Sequence, residues 1–210
     1  MTDCISFRIL LAIALLLFLI TIRTFIGIVP SLLATVIRWK ESLNLEASVK
    51  LSRDRNLVAI CSVIPFCLII TLKDVYHPRF IDAFNNDARL WITIGIFCIF
   101  IAIRTLLEHM LKPRRILGKT YKAVVSVGYS FFIILTMLLV LLGGSFSLLG
   151  ISEELTRNVM LWLSAVTYLL YLIRKLQIFN SSYSFFAGIL YLCALEILPT
   201  GVLVTSAVIF

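Results

Sequence analysis

The sequence predicts an all-α fold: a polytopic transmembrane helical bundle of six spans plus one interfacial amphipathic helix. Three observations carry this. Apolar residues make up 61% of the 210 residues, where soluble proteins have roughly 45–50%. Charged residues are only 14%, against roughly 25% in soluble proteins. The apolar residues also run in long blocks separated by short charged stretches. A chain of this length has too little interior to hide so much apolar surface from water, so the excess faces lipid. Residues 1–210 read as a single integral membrane domain.

A bilayer core of roughly 30 Å needs about 20 residues of helix, with 17 to 25 tolerated. Span one is residues 5–22, with Arg8 able to snorkel outward. A cleaved signal peptide is not expected: Arg23-Thr24-Phe25 offers no small-residue site after the run. Residues 24–37 are apolar but short and contain Pro30. From residue 31 to 45, Leu32, Leu33, Val36, Ile37 and Leu43 gather near one face, with Arg38, Lys40 and Glu41 beyond. An interfacial amphipathic helix over 31–45 fits this pattern, ahead of a re-entrant hairpin or a further span.

Span two is residues 56–72, with Pro65 as a kink, which membrane helices tolerate. Span three is 90–107 and carries Arg104. Span four is 124–142, where Ser126, Gly128 and Ser130 form a small-residue packing face and Gly143-Gly144 marks the end. Span five is 158–173 and span six 185–208. Trp91 and Trp162, near span ends, read as interfacial anchors.

Charge alternates between connections. Those after spans one, three and five, counting Arg23 and Arg104, carry 14 Lys+Arg and 4 Asp+Glu. The termini and the connections after spans two and four carry 5 Lys+Arg and 6 Asp+Glu. Basic connections mark the cytoplasmic side, so both termini are expected on the outer side. Lys112, Arg114, Arg115, Lys119 and Lys122 form one basic cluster. It reads as a topology determinant and a contact for anionic lipid headgroups, worth about 1 kcal/mol per basic residue. A docking surface for a protein partner is the other reading. Nucleic acid is not an expected partner, because no recognition fold or aromatic-basic platform accompanies the charges.

One residue carries a large penalty where it sits. Glu196 lies eleven residues into span six from Phe185, roughly 17 Å deep at 1.5 Å per residue. A carboxylate at such depth faces the bundle or a wet cavity. Pro199 has no N–H to donate to the Leu195 carbonyl, which loosens the helix there. Helical spacing groups Cys193, Glu196, Pro199 and Thr200 on one face. Arg104 is the leading partner for Glu196, with the hydroxyls of Tyr168, Tyr171 and Tyr129 as others. A structural bridge, a proton or cation relay, and simple contact with interfacial water are the readings of Glu196, in that order.

Enzymatic chemistry finds no foothold. H-E-x-x-H, G-x-S-x-G and the full Walker sequence G-x-x-x-x-G-K-[ST] are all missing. His77 and His109 fall on opposite sides of the membrane by this topology, so they cannot share a metal. No two acidic residues are expected to share the membrane interior. Five cysteines occur without a C-x-x-C pair and read as small buried hydrophobes. No catalytic residue, cofactor or metal is therefore expected.

The stretch Tyr171-Leu172-Ile173-Arg174-Lys175, followed by a last span reading L-Y-L-C-x-L-E-I-L-P from Leu190 to Pro199, resembles a known family. It is similar to an uncharacterised bacterial integral inner-membrane family, a domain of unknown function. The resemblance implies a bacterial envelope location and supplies no activity. The residues point first to a non-enzymatic scaffold, assembly factor or partner-binding membrane subunit, working with lipids, protein partners or a second copy. A small proton- or cation-coupled transporter or channel using Glu196 is the alternative.

Overall fold

The computed structural model describes residues 5–38, 41, 45–46, 48–76, 78, 84–110, 118–180 and 185–209. These are almost wholly helical, and six helical stretches are long and apolar enough to cross a membrane. In chain order they are α1 (Ile5–Ile37), α2 (Val49–Cys61) with α3 (Val63–Leu72), α4 (Asn86–Met110), α5 (Gly118–Leu148), α6 (Glu153–Asn180), and a last span. That last span is α7 (Phe185–Leu192), a π-helical turn (Cys193–Ile197) and α8 (Leu198–Ile209).

The first span differs from the sequence reading. α1 does not stop at Ile22: Ser31–Ile37 are its last two turns and no break precedes them. Exposed Arg23 can lie along the helix surface with its charge directed away from lipid. Pro30 costs the helix one hydrogen bond, whereas a break in lipid would strand several backbone groups. Of the remainder of the 31–45 segment, residues 39–40 and 42–44 lie outside the described residues. At 33 residues, α1 is roughly 50 Å long, so it crosses a core of about 30 Å at a tilt or extends past its boundary.

Span two is interrupted at Ser62, between α2 and α3. Pro65, three residues on, lacks an N–H, and its ring crowds the carbonyl of Cys61. The Ser62 hydroxyl instead donates to the Val58 carbonyl at 2.7 Å. Gly143 and Gly144 do not end span four. α5 continues to Leu148, and a Cβ at Gly143 would stand 2.7 Å from both Ile69 and Met160. This glycine is therefore a packing notch. Two residues past the end of α5 stands Gly150, whose φ of +66° suits a residue without a Cβ.

The helix ends form two polar rims. At one, Lys73 donates to Ser147 at 2.7 Å and Arg89 to Asp74 at 3.2 Å, while Glu153 and Glu154 open α6. Tyr76 and Ser206 share a hydrogen bond of 2.9 Å at the same rim. The other rim is basic: Arg174 of α6 donates to the carbonyls of Val36 and Ile37, the latter at 2.8 Å, and so caps α1. Between the rims, Phe66, Cys67, Ile70, Phe97, Leu139 and Met160 build an apolar layer. Phe66 meets Phe97 and Phe132 edge-on at 5.3 and 5.0 Å. Cys61, Cys67, Cys98 and Cys193 are all free thiols.

Candidate functional site

A compact charge network occupies the interior where α4, α6 and the π-turn meet. α6 contributes Tyr171 and Lys175, four residues apart and hence on one helical face. α4 contributes Arg104 and Glu108 by the same spacing. The π-turn contributes Glu196.

Glu196 Oε1 accepts hydrogen bonds from three donors: Tyr171 Oη at 2.6 Å, Arg104 Nη2 at 3.0 Å, and Lys175 Nζ. Tyr171 Oη in turn accepts from Arg104 Nη2 at 2.7 Å and from Lys175 Nζ at 3.1 Å. Glu108 Oε1 stands 3.5 Å from both Arg104 Nη2 and Lys175 Nζ. Two cations and two carboxylates sum to zero formal charge. Lys175 is fully buried and Glu196 is 2% exposed, whereas the Arg104 side chain is 25% exposed. Bare ions at such burial would be costly, and mutual pairing offsets much of that cost.

The surrounding backbone makes room for this arrangement. A Cβ at Gly128 of α5 would stand 2.8 Å from Arg104 Nη2 and 3.6 Å from Tyr171 Oη. Tyr121 of α5 donates to the Glu108 carbonyl at 2.6 Å, fixing the end of α4. In the π-turn the Leu198 N–H reaches the Cys193 carbonyl, five residues back. Pro199, lacking its own N–H, adjoins this wider turn. Arg104 Nε and the hydroxyls of Tyr168 and Tyr191 are buried without a hydrogen-bond partner among the described residues. Arg104 belongs to the network, and Tyr168 and Tyr191 border it.

The network lies nearer the basic rim than the opposite one. Arg89 and Arg104 are fifteen residues apart on α4, roughly 22 Å along the helix. The end of α4 at Met110 is only six residues farther on, roughly 9 Å by the same rise.

Arg104 and Glu196, paired from the sequence, thus stand in direct contact. Pro199 is buried and Thr200 half-buried on the same span. Cys193 is exposed and does not share the face of Glu196. The π-turn explains this correction: about one more residue per turn rotates Cys193 away from where α-helical spacing puts it. The expectation that no two acids share the interior is also corrected. Glu108 and Glu196 are bridged by the same two cations.

Ending span five at Ile173 places Lys175 in a connection, whereas the structure keeps it inside α6. The signal that could have found it is the spacing of Tyr168, Tyr171 and Lys175 at i, i+3 and i+7, a single helical stripe. Lys112, Arg114 and Arg115 lie outside the described residues. Lys119 is in the first turn of α5 and Lys122 is exposed. His77 is outside the described residues, and His109 is placed in α4 by its backbone alone. Among the described residues, no group of three His, Cys, Asp or Glu is arranged to hold a metal ion.

A family model described as "domain of unknown function (DUF4271)" matches residues 6–206. The chain belongs to this family. The match takes in all six spans and includes every residue of the charge network. No curated protein and no solved structure matches the chain.

Proposed function

We propose that this DUF4271 protein is a non-enzymatic membrane subunit, a scaffold or assembly factor that works through partners. The observation that supports this most is the engagement of Glu196 within the chain. Its Oε1 is engaged by two cations and a tyrosine hydroxyl, all from the chain itself. The buried acids and bases therefore brace α4, α6 and the last span against one another, and Glu196 and Glu108 are both paired within the chain rather than free to act on a substrate. Basic residues of the basic rim, including exposed Lys122 near the start of α5, would meet anionic headgroups and cytosolic partners. On this reading the protein sits in a bacterial inner membrane, with the basic rim cytoplasmic and both termini periplasmic. No cofactor, metal or nucleic acid enters the proposal.

A second reading, proton or cation coupling, is favoured by one specific observation: two carboxylates share two cations. Two measurements on the full chain separate the readings. Purification in mild detergent is expected to yield a stoichiometric complex with defined proteins or lipids. Reconstitution into liposomes with an internal pH dye is expected to show no flux above empty liposomes. Flux that disappears in Glu196→Gln would overturn the scaffold reading in favour of coupling.

A further inference from the structure

We propose that Glu196 is a proton-binding site whose occupancy releases the last span from the bundle. This goes beyond both readings above, since either a scaffold or a transporter could use it.

The inference rests on how unevenly the charges are distributed. Residues 185–210 contain a single charged side chain, Glu196. The other charged members of the network, Arg104, Glu108 and Lys175, all belong to α4 and α6. The last span packs mainly on those two helices, and Phe186, Leu190, Leu198 and Val202 on its far side are exposed. Its electrostatic attachment is therefore one carboxylate.

The cations that hold this carboxylate have a second partner already within reach. Arg104 Nη2 is 3.0 Å from Glu196 and 3.5 Å from Glu108. Lys175 Nζ likewise touches both, with Glu108 at 3.5 Å. When a proton from water at the basic rim forms an O–H bond on Glu196, the carboxyl loses its charge. Both cations then shift to Glu108 without crossing any gap in the packing. Arg104, Lys175 and Glu108 close among themselves, and the last span keeps only neutral contacts.

The span is built to move at this point. The π-turn and Pro199 weaken its hydrogen-bond ladder beside Glu196. The groups facing Glu196 are Arg104 and Glu108 from α4, Tyr168, Tyr171 and Lys175 from α6, and Tyr191 from its own span, with Tyr121 and Tyr129 of α5 behind them. Uptake leaves the network with one net positive charge. That charge opposes uptake of the proton, so the attached state holds at neutral pH and gives way as pH falls.

The test uses the full chain in lipid nanodiscs. Backbone hydrogen exchange of 185–209 is compared at one neutral pH in the wild type, Glu196→Gln and Glu108→Gln. Glu196→Gln, which mimics the protonated carboxyl, is expected to speed exchange there roughly tenfold, with α5 unchanged. Glu108→Gln is expected to leave it protected. Equal protection in wild type and Glu196→Gln, or equal loss in both variants, overturns the proposal. The acidified wild type needs no variant to fold. After correction for intrinsic exchange rates, exchange should rise selectively in 185–209, and no rise or a uniform rise overturns the proposal. Infrared difference spectra on acidification should show a protonated-carboxyl band that Glu196→Gln lacks and Glu108→Gln retains. Persistence of the band in Glu196→Gln overturns the assignment.

Discussion

Gly128 and Arg104 are matched by shape: a Cβ at position 128 would stand 2.8 Å from Arg104 Nη2. The guanidinium lies in a notch on α5, and there it reaches Glu196 and Tyr171. Gly128→Ala is expected to push Arg104 off its partners and to destabilise by about 1–3 kcal/mol, the usual range for overpacking. The check is thermal unfolding in detergent. The loss should shrink when Arg104 is already replaced by Leu, because nothing then fills the notch. An unchanged loss in that background would show that the clash is with something else.

Breaking the network from one side should be expensive. Arg104→Leu or Glu196→Leu alone leaves an odd charge in the core, and each is expected to cost about 3–5 kcal/mol. The double change leaves Lys175 facing Glu108, a balanced pair. It should recover much of the loss, as measured by a double-mutant cycle on unfolding free energies. Strictly additive losses would refute the pairing.

Lys175 has a partner that the sequence did not suggest. Lys175→Met removes a fully buried cation and leaves Arg104 facing two carboxylates. A destabilisation of about 3–5 kcal/mol is expected from the uncompensated charge. Adding Glu108→Gln rebalances the charge and should restore part of the melting temperature. Failure of that second change to help would mean that Glu108 is not coupled to Lys175.

Arg174 joins the C-terminal carbonyls of α1 to α6 across more than 130 residues of chain. Arg174→Gln is expected to cost about 1–2 kcal/mol, through the lost carbonyl contacts and the lost positive charge at a helix C-terminus. Hydrogen exchange should quicken in residues 31–37 and not at the other end of α1. Uniform quickening along α1 would point to loss of packing instead.

The charge asymmetry also has a direct consequence. Reporter fusions at residues 80 and 117 should report opposite sides of the membrane, with 117 cytoplasmic. Same-side reporting would require an even number of crossings between them.

Much of the bundle was legible because apolar blocks of membrane length are a one-dimensional signal. The span cores, the interruption near Pro65 and the isolation of Glu196 all follow from residue order. Helix ends were less legible. Arg23 did not stop α1, and Lys175 did not stop α6, although both were read as leaving the membrane. A charged side chain ends a span only if water is its best partner. Lys175 finds Glu196 and Glu108 instead, and that choice depends on two other helices.

The sequence by itself determined that this is a helical membrane protein of six spans, that its charges segregate to alternate connections, and that one acid in the last span needs a partner. Tertiary structure decided the rest: that Arg104 and Lys175 both serve Glu196, that Glu108 shares them, that Gly128 clears their path, and that Cys193 turns away. Apolar periodicity is set by neighbours along the chain. The identity of a buried ion's partner is set by which helix faces meet, and the partners on different helices lie 21 to 92 positions apart.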